Sequence, residues 1–266
     1  MRVAFLFVIL MFFSYATVAA DLKACGHHDY APWNWKKGGE IVGVCAEITK
    51  TLMGDLGLTV DLAYRGPWKR CQKNIENGWI DINICSFINE NRQQYSDFVM
   101  TPVGINENAV FVAKAHQFSF ETWPDLKGKT AGMVAGVSLG QRFDDFIKEN
   151  LRVQQVNEYL QIFKMLEVGR IDFVPTGRHS GKAMLRAYGL DDQLTDLPTP
   201  ILYGNLYISM SKKSQYISLL PEIEKALRKK SHTVWVDGLI EKYTKIYAED
   251  YVKESEKQVT PFGQAR

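Results

Sequence analysis

The order of strand-like and helix-like segments in the first third of the chain constrains the fold more than any other feature. LKACGHH (22–28) has the length and composition of a short strand, and CAEITKTLMGDLG (45–57) has helical spacing closed by Gly57. LTVDLAY (58–64) is again rich in β-formers. PWKRCQKNIENG (67–78) reads as a helix with Pro67 in its first turn and Gly78 past its end, and WIDINIC (79–85) as a third strand. Strand, helix, strand, helix, strand predicts a parallel sheet with right-handed crossovers.

The arrangement returns further along. IENGWID (75–81) and LEVGRID (166–172) share an aliphatic residue, Glu, Gly, Ile and Asp in register, each reading as helix end, glycine cap and strand entry. The second copy closes a unit of its own: KTAGMVAG, SLGQRFDDFIKEN, VQQV, EYLQIFKMLEVG and RIDFVP alternate strand and helix. The expected fold is α/β, with two lobes that are each a mostly parallel sheet flanked by helices. ENAVFVAKA (107–115) and GNLYISMSKK (204–213) bracket the second lobe and are expected to be hinge strands between the lobes. The expected division is 21–112 for the first part of lobe 1, 113–203 for lobe 2, 204–248 for a helical return to lobe 1, and 249–266 for a loosely held polar tail.

Residues 1–20 carry Arg2 ahead of an uncharged apolar run, with Val18 and Ala20 at the −3 and −1 positions of a small-residue cleavage site. They are expected to be a signal peptide removed on export to the periplasm. The net charge of +2, from 32 basic and 30 acidic residues, leaves no footprint for nucleic acid or an anionic membrane. Cys25, Cys45, Cys71 and Cys85 all fall in the first third, and an even count in an oxidising compartment predicts two disulfides. With the first strand central, the first two helices cover opposite faces, which separates Cys45 from Cys71. Two pairings stay open: 25–45 with 71–85, and 25–71 with 45–85.

Several groups could carry chemistry. GVSLG (136–140) fits the GxSxG pattern between a strand and a helix, so Ser138 is a candidate hydrolase nucleophile, with Asp196 and His232 following in chain order. The same residues read better as a capping box between Ser138 and Gln141, and as an anion site on free helical N–H groups. Arg92, just past the third strand, offers a guanidinium suited to a bidentate grip on a carboxylate, with Ser86 and Asn89 nearby as neutral partners. Tyr30, Trp33 and Trp35 follow the first strand and Trp68 the second, at the sheet edge where open α/β folds bind ligands. Cys25-Gly-His27-His28-Asp29 gives no expected metal site, because adjacent strand histidines face opposite ways. No cofactor is called for. RIDFVPTGRHSG (170–181) ends its strand in Thr176, Gly177 and Arg178, a basic end that suits an anion.

In this order and spacing, YAPWNWKKGGEIVGVCAEI, GWIDINI, NENRQQYSDF, LKGKTAGMVAGVS and LEVGRIDFV resemble the type II periplasmic solute-binding proteins, specifically the family 3 group that includes the polar amino-acid receptors of ABC transporters. The resemblance covers roughly residues 22–247. It implies a monomeric, non-enzymatic clamp that closes by hinge motion on a small solute and serves an inner-membrane ABC permease or a sensor. A dehydratase-like enzyme on the same fold is the alternative. The resemblance further implies that Arg92 holds the ligand carboxylate, that Ser138 shares the task, and that Tyr30 and Trp68 sandwich the ligand.

The chain departs from that pattern in places. Asn89 stands where Thr is usual, in a segment that is one residue short. Amino-acid receptors also carry an aspartate five residues after the acid of the LEVGRID-like motif; that position here is Gly177, followed by Arg178. Burying an ammonium there without a counter-charge is costly. Either Arg178 receives a second anionic or acceptor group of the ligand, with Thr176 beside it, or Arg178 points to solvent and another acid, Glu47 or Asp29, pairs the amine.

Overall fold

The computed structural model describes residues 21–230 and 232–259, so the expected signal peptide, residues 1–20, lies outside them. β1 (Leu22–Cys25) leads into a meander of β2 (Asp29–Tyr30), β3 (Asn34–Lys37) and β4 (Glu40–Val42). Lobe 1 continues with α1 (Val44–Asp55), β5 (Val60–Asp61), α2 (Trp68–Asn77), β6 (Ile82–Ser86), α3 (Glu90–Tyr95) and β7 (Ser96–Phe98). β8 (Gly104–Ala113) crosses to lobe 2, which holds β9 (Thr130–Val134), α4 (Gln141–Asn150), β10 (Arg152–Val156), α5 (Tyr159–Glu167), β11 (Val174–Gly177) and α6 (Arg178–Tyr188). β12 (Leu194–Ser211) returns, and α7 (Leu220–Lys229) and α8 (His232–Val259) pack on α1.

β1 is central in lobe 1, parallel to β5 on one side and β6 on the other. In lobe 2, β9 and β10 are parallel, and a parallel bridge from Ala131 to Phe173 ties β9 to the chain entering β11. β8 and β12 are antiparallel neighbours along most of their length and join the two halves. The architecture is thus α/β with mixed sheets.

α2 shows why the local sequence folds as it does. Trp68, Cys71, Gln72 and Ile75 recur at helical spacing and are buried, while Lys69, Arg70 and Lys73 lie on the other side. Pro67 sits at the N-cap, one position earlier than expected, and Gly78 closes the helix with φ of 77°. Gly169 closes α5 in the same way with φ of 69°. The echo between the lobes extends to its acids: Asp81 accepts the Lys23 N–H at the edge of β1 (2.9 Å), and Asp172 accepts the Thr130 N–H of β9 (2.6 Å).

The disulfides join Cys25 to Cys71 and Cys45 to Cys85, each with Cα atoms 5.9 Å apart. The first fastens α2 to β1 and the second fastens α1 to β6. Ala24 packs in the cluster that holds α1, whereas its neighbour Cys25 packs with Trp68, Cys71 and Ile75. Alternation along a strand puts those two clusters on opposite faces of the sheet.

Four features differ from the sequence expectations. β12 begins ten residues before Gly204, at Leu194, although Pro198 and Pro200 argue against a strand; the register shifts between Asp196 and Pro200 and again before Leu202, which accommodates them. Arg178, His179 and Ser180 are not a strand end but the first turn of α6. Its buried stripe includes Ser180 and Gly181, small residues that carry no apolar signal. The meander β2–β3–β4 occupies the stretch between the first strand and the first helix, for which the sequence reading names no element. The segment expected as a loose tail continues α8 to Val259.

Candidate ligand-binding site

A cavity lies between the lobes. His27, Tyr30, Asn34, Trp68, Ser86 and Arg92 line it from lobe 1, and Val137, Ser138, Leu139 and Tyr159 from lobe 2. The sequence candidates Tyr30, Trp68, Ser86, Arg92 and Ser138 are therefore brought together. Asn89, Thr176 and Arg178 are not.

Arg92 is buried in the first turns of α3, where Asn89 acts as the N-cap and accepts the Arg92 N–H at 2.9 Å. Asn89 is thereby a cap rather than a wall of the cavity. The guanidinium donates to Phe87 O in lobe 1 (2.7 Å) and to Gly136 O in lobe 2 (3.1 Å), and lies 5.5 Å from the Trp68 ring centre. Trp68 Nε1 donates to the same Gly136 O at 2.9 Å. No carboxylate among the described residues forms an ion pair with Arg92. Burial pulls its pKa below the usual arginine value, against the opposing influence of Tyr95 and Asp144. Guanidinium nonetheless stays charged.

The loop before α4 is wired differently from the expected capping box. Ser138 Oγ donates to the Asp144 carboxylate and accepts the Gly140 N–H at 3.1 Å, while Asp144 also accepts the Leu139 N–H at 3.0 Å. Gly140 is the N-cap, and Gln141 turns outward to Asp145 (2.8 Å) and accepts the Glu90 N–H across the cleft (3.0 Å). Burial raises the Asp144 pKa, although Ser138, Leu139 and Arg92 pull it back. The hydrogen-bond partners of Ser138 Oγ among the described residues are Asp144 and the Gly140 N–H, and no histidine is among them, so the serine–histidine pair of a hydrolase triad is not formed. Asp196 is engaged by Arg178, and the His232 side chain lies outside the described residues.

The floor of the cavity explains the glycine at 177. A Cβ there would lie 2.5 Å from both Tyr30 Oη and Asn106 Oδ1. Asn106 Nδ2 donates to Tyr30 Oη at 2.6 Å, and Thr176 Oγ1 donates to Tyr159 Oη at 3.1 Å. Thr176 thus stands behind Tyr159. Burial raises the pKa of Tyr30 and pushes that of Tyr159 well above the ordinary value, so both are neutral phenols.

Arg178 points away from the cavity. It binds Glu107 (2.6 Å) and Asp196, and donates to Leu197 O (3.0 Å) and Pro198 O (2.8 Å). The turn from β11 into α6 at Gly177 swings its side chain onto β8 and β12. Neither alternative acid lines the cavity. Glu47 accepts from Tyr243 (2.8 Å) on α8, and Asp29 accepts from the Tyr159 N–H (3.0 Å) and the Tyr188 hydroxyl (2.9 Å).

His27, Asn34 and Tyr159 line the cavity without having been singled out as ligand contacts. Trp33 and Trp35, expected at the cleft, are core residues at 3% and 5% exposure, and Asn34 between them faces the other way. Strict alternation through WNW carries that signal. His27 and His28 do not oppose each other as strand residues would. β1 ends at Cys25, and their rings stack with centroids 5.2 Å apart. His27 Nδ1 accepts the Asp29 N–H at 3.0 Å, which leaves the ring proton on Nε2. Burial, then His28 and Arg92, holds its pKa well below the usual histidine value, so the ring is neutral. His27 Nε2, both amide atoms of Asn34 and Ser86 Oγ are buried without a protein partner.

No family model matches the chain. It is 27% identical over 154 residues to the L-cystine-binding protein TcyJ of Escherichia coli K12, and the match spans 56% of this chain and 56% of that protein. The chain thus spans little more than half the length of this relative. The structure superposes on the amino acid ABC transporter substrate-binding protein AbpA of Streptococcus pneumoniae bound to L-arginine with a TM-score of 0.71, at 20% identity over 85% of this chain and 95% of that one. It also superposes on a histidine kinase sensor domain with similarity to periplasmic binding proteins, with a TM-score of 0.69 at 17% identity over 84% and 95% of the respective chains. At such identities the superpositions establish architecture: the chain has the periplasmic-binding-protein type II fold, the fold of amino-acid ABC transporter substrate-binding proteins.

Proposed function

We propose that this chain is an exported solute-binding receptor that closes its lobes on a small carboxylate-bearing solute, an amino acid or a related organic acid, for ABC-type uptake or for sensing in the periplasm. One observation carries the reading. A buried guanidinium, Arg92, reaches the interlobe cavity, is held by a carbonyl from each lobe, and forms no ion pair among the described residues. A buried charge of this kind is favourable when a ligand supplies the counter-charge. The relative TcyJ and the structural neighbour AbpA are binding proteins by name, which agrees with a receptor rather than an enzyme.

Thermal unfolding of the oxidised protein against amino acids and organic acids tests the proposal. A solute at about a hundred times its Kd stabilises by about 2.7 kcal/mol, which moves the midpoint of a chain this size by about 5–10 °C. Stoichiometric binding without turnover supports the receptor. Consumption of prephenate-like acids would instead favour the dehydratase alternative.

A further inference from the structure

The groups that line the cavity specify its charge. Arg92 is its one cation among the described residues, His27 is neutral, and Tyr30 and Tyr159 are neutral phenols. No Asp or Glu among the described residues lines it. The acids that touch or adjoin its lining residues are already engaged: Asp144 by Ser138 and the Leu139 N–H, Asp29 by Tyr188 and the Tyr159 N–H, and Glu158 by His28. Gly177 has no room for an acid, because Tyr30 Oη and Asn106 Oδ1 fill the space where its side chain would start.

The unpartnered polar atoms specify the remainder. With Nδ1 occupied, His27 presents an Nε2–H donor; Asn34 presents an amide donor and acceptor, and Ser86 a hydroxyl. The walls are flat: His27 lies 5.3 Å from Trp68 and 5.7 Å from Tyr159, measured between ring centres.

Resting on the receptor reading above, we infer that the solute is a carboxylate without an ammonium group, having a planar, neutral body that carries a hydrogen-bond acceptor. Its carboxylate pairs with Arg92 and Ser86. Its acceptor meets His27 Nε2–H and the Asn34 amide, and its flat body lies among Tyr30, Trp68 and Tyr159. An α-ammonium in the same place would be desolvated beside Arg92 with only neutral groups to receive it, which is unfavourable.

The test is isothermal titration of the intact oxidised protein with the standard amino acids and with the corresponding des-amino carboxylates, so that L-phenylalanine is compared with 3-phenylpropanoate and L-glutamine with 4-carbamoylbutanoate. The expected result is that the tightest binder is amine-free and exceeds its amino-acid counterpart by about tenfold or more. Asn34→Asp, which adds a carboxylate to the wall with little change of shape, is expected to reverse that preference. Binding of amino acids in preference to their des-amino partners would overturn this inference and leave the receptor reading standing. Failure of both classes to bind would overturn the carboxylate reading and the inference with it.

Discussion

Asp29 of lobe 1 accepts the Tyr188 hydroxyl of lobe 2 at 2.9 Å, and its second oxygen accepts the Tyr159 N–H that opens α5. Beside it, His28 Nε2 lies 2.9 Å from Glu158 Oε2. These contacts fasten the meander of one lobe to the helices of the other. Burial raises the Asp29 pKa, with a smaller upward push from Glu158, while Tyr159, Tyr188 and His28 pull it down. A carboxyl with a raised folded pKa binds its proton more readily in the closed protein than in the unfolded chain. Its contribution is therefore greatest below the unfolded value of about 3.9 and is lost as pH rises through the folded value. Asp29→Asn should flatten that part of the stability profile, measured as thermal midpoint against pH. An unchanged slope would show that Asp29 does not titrate between the lobes.

Arg178→Ala should lower stability without touching ligand recognition. The Arg178 side chain is 14% exposed and that of Asp196 8%, and removing the arginine leaves Asp196 with Lys182 at 3.3 Å. Breaking one partner of a buried pair costs about 3–5 kcal/mol. Denaturant unfolding should report a loss of that order, with Kd unchanged for the folded fraction. A lost affinity at full stability would return Arg178 to the binding site.

Both disulfides should matter for ligand binding as well as for stability. Replacing either pair with alanine should cost about 2–5 kcal/mol. The Cys25–Cys71 pair fastens α2, which carries Trp68 to the cavity, and Cys85 of the other pair lines the cavity beside Ser86, so loss of either should weaken ligand binding as well. Calorimetric titration of the two double variants at a temperature where both are folded would check this. Unchanged affinity in either would refute it.

The alternating segments, the glycine-closed helices and the crossing strands were legible in sequence because each depends on local periodicity and turn chemistry. Arg92, Tyr30 and Trp68 were legible as cavity residues because they follow strands at the ligand-bearing edge of the sheet. Arg178 was not, because its direction depends on whether the chain after Gly177 continues as strand or turns into helix. The buried stripe of α6 is too poor in large apolar residues to announce the turn. The partners that draw Arg178 aside, Glu107 and Asp196, come from distant strands. Tyr159 was missed for a related reason: it opens α5, and only the docking of the lobes makes it a wall.

Gly177→Ala tests the packing beneath the cavity. The backbone there, with φ of −57° and ψ of 130°, accepts an alanine without strain, so any effect comes from space alone. The added Cβ would meet Tyr30 Oη and Asn106 Oδ1 at 2.5 Å, forcing Tyr30 off its bond from Asn106. Overpacking of this kind costs about 1–3 kcal/mol, and the displaced ring should also weaken binding. Tyr30→Phe removes the oxygen that Cβ would strike, so the double variant should lose less than the two single variants added together. The cycle is read from denaturant midpoints and ligand titrations of the four proteins. Strict additivity would mean that residue 177 and Tyr30 do not compete for the same space, and the absence of an acid at 177 would then need another cause.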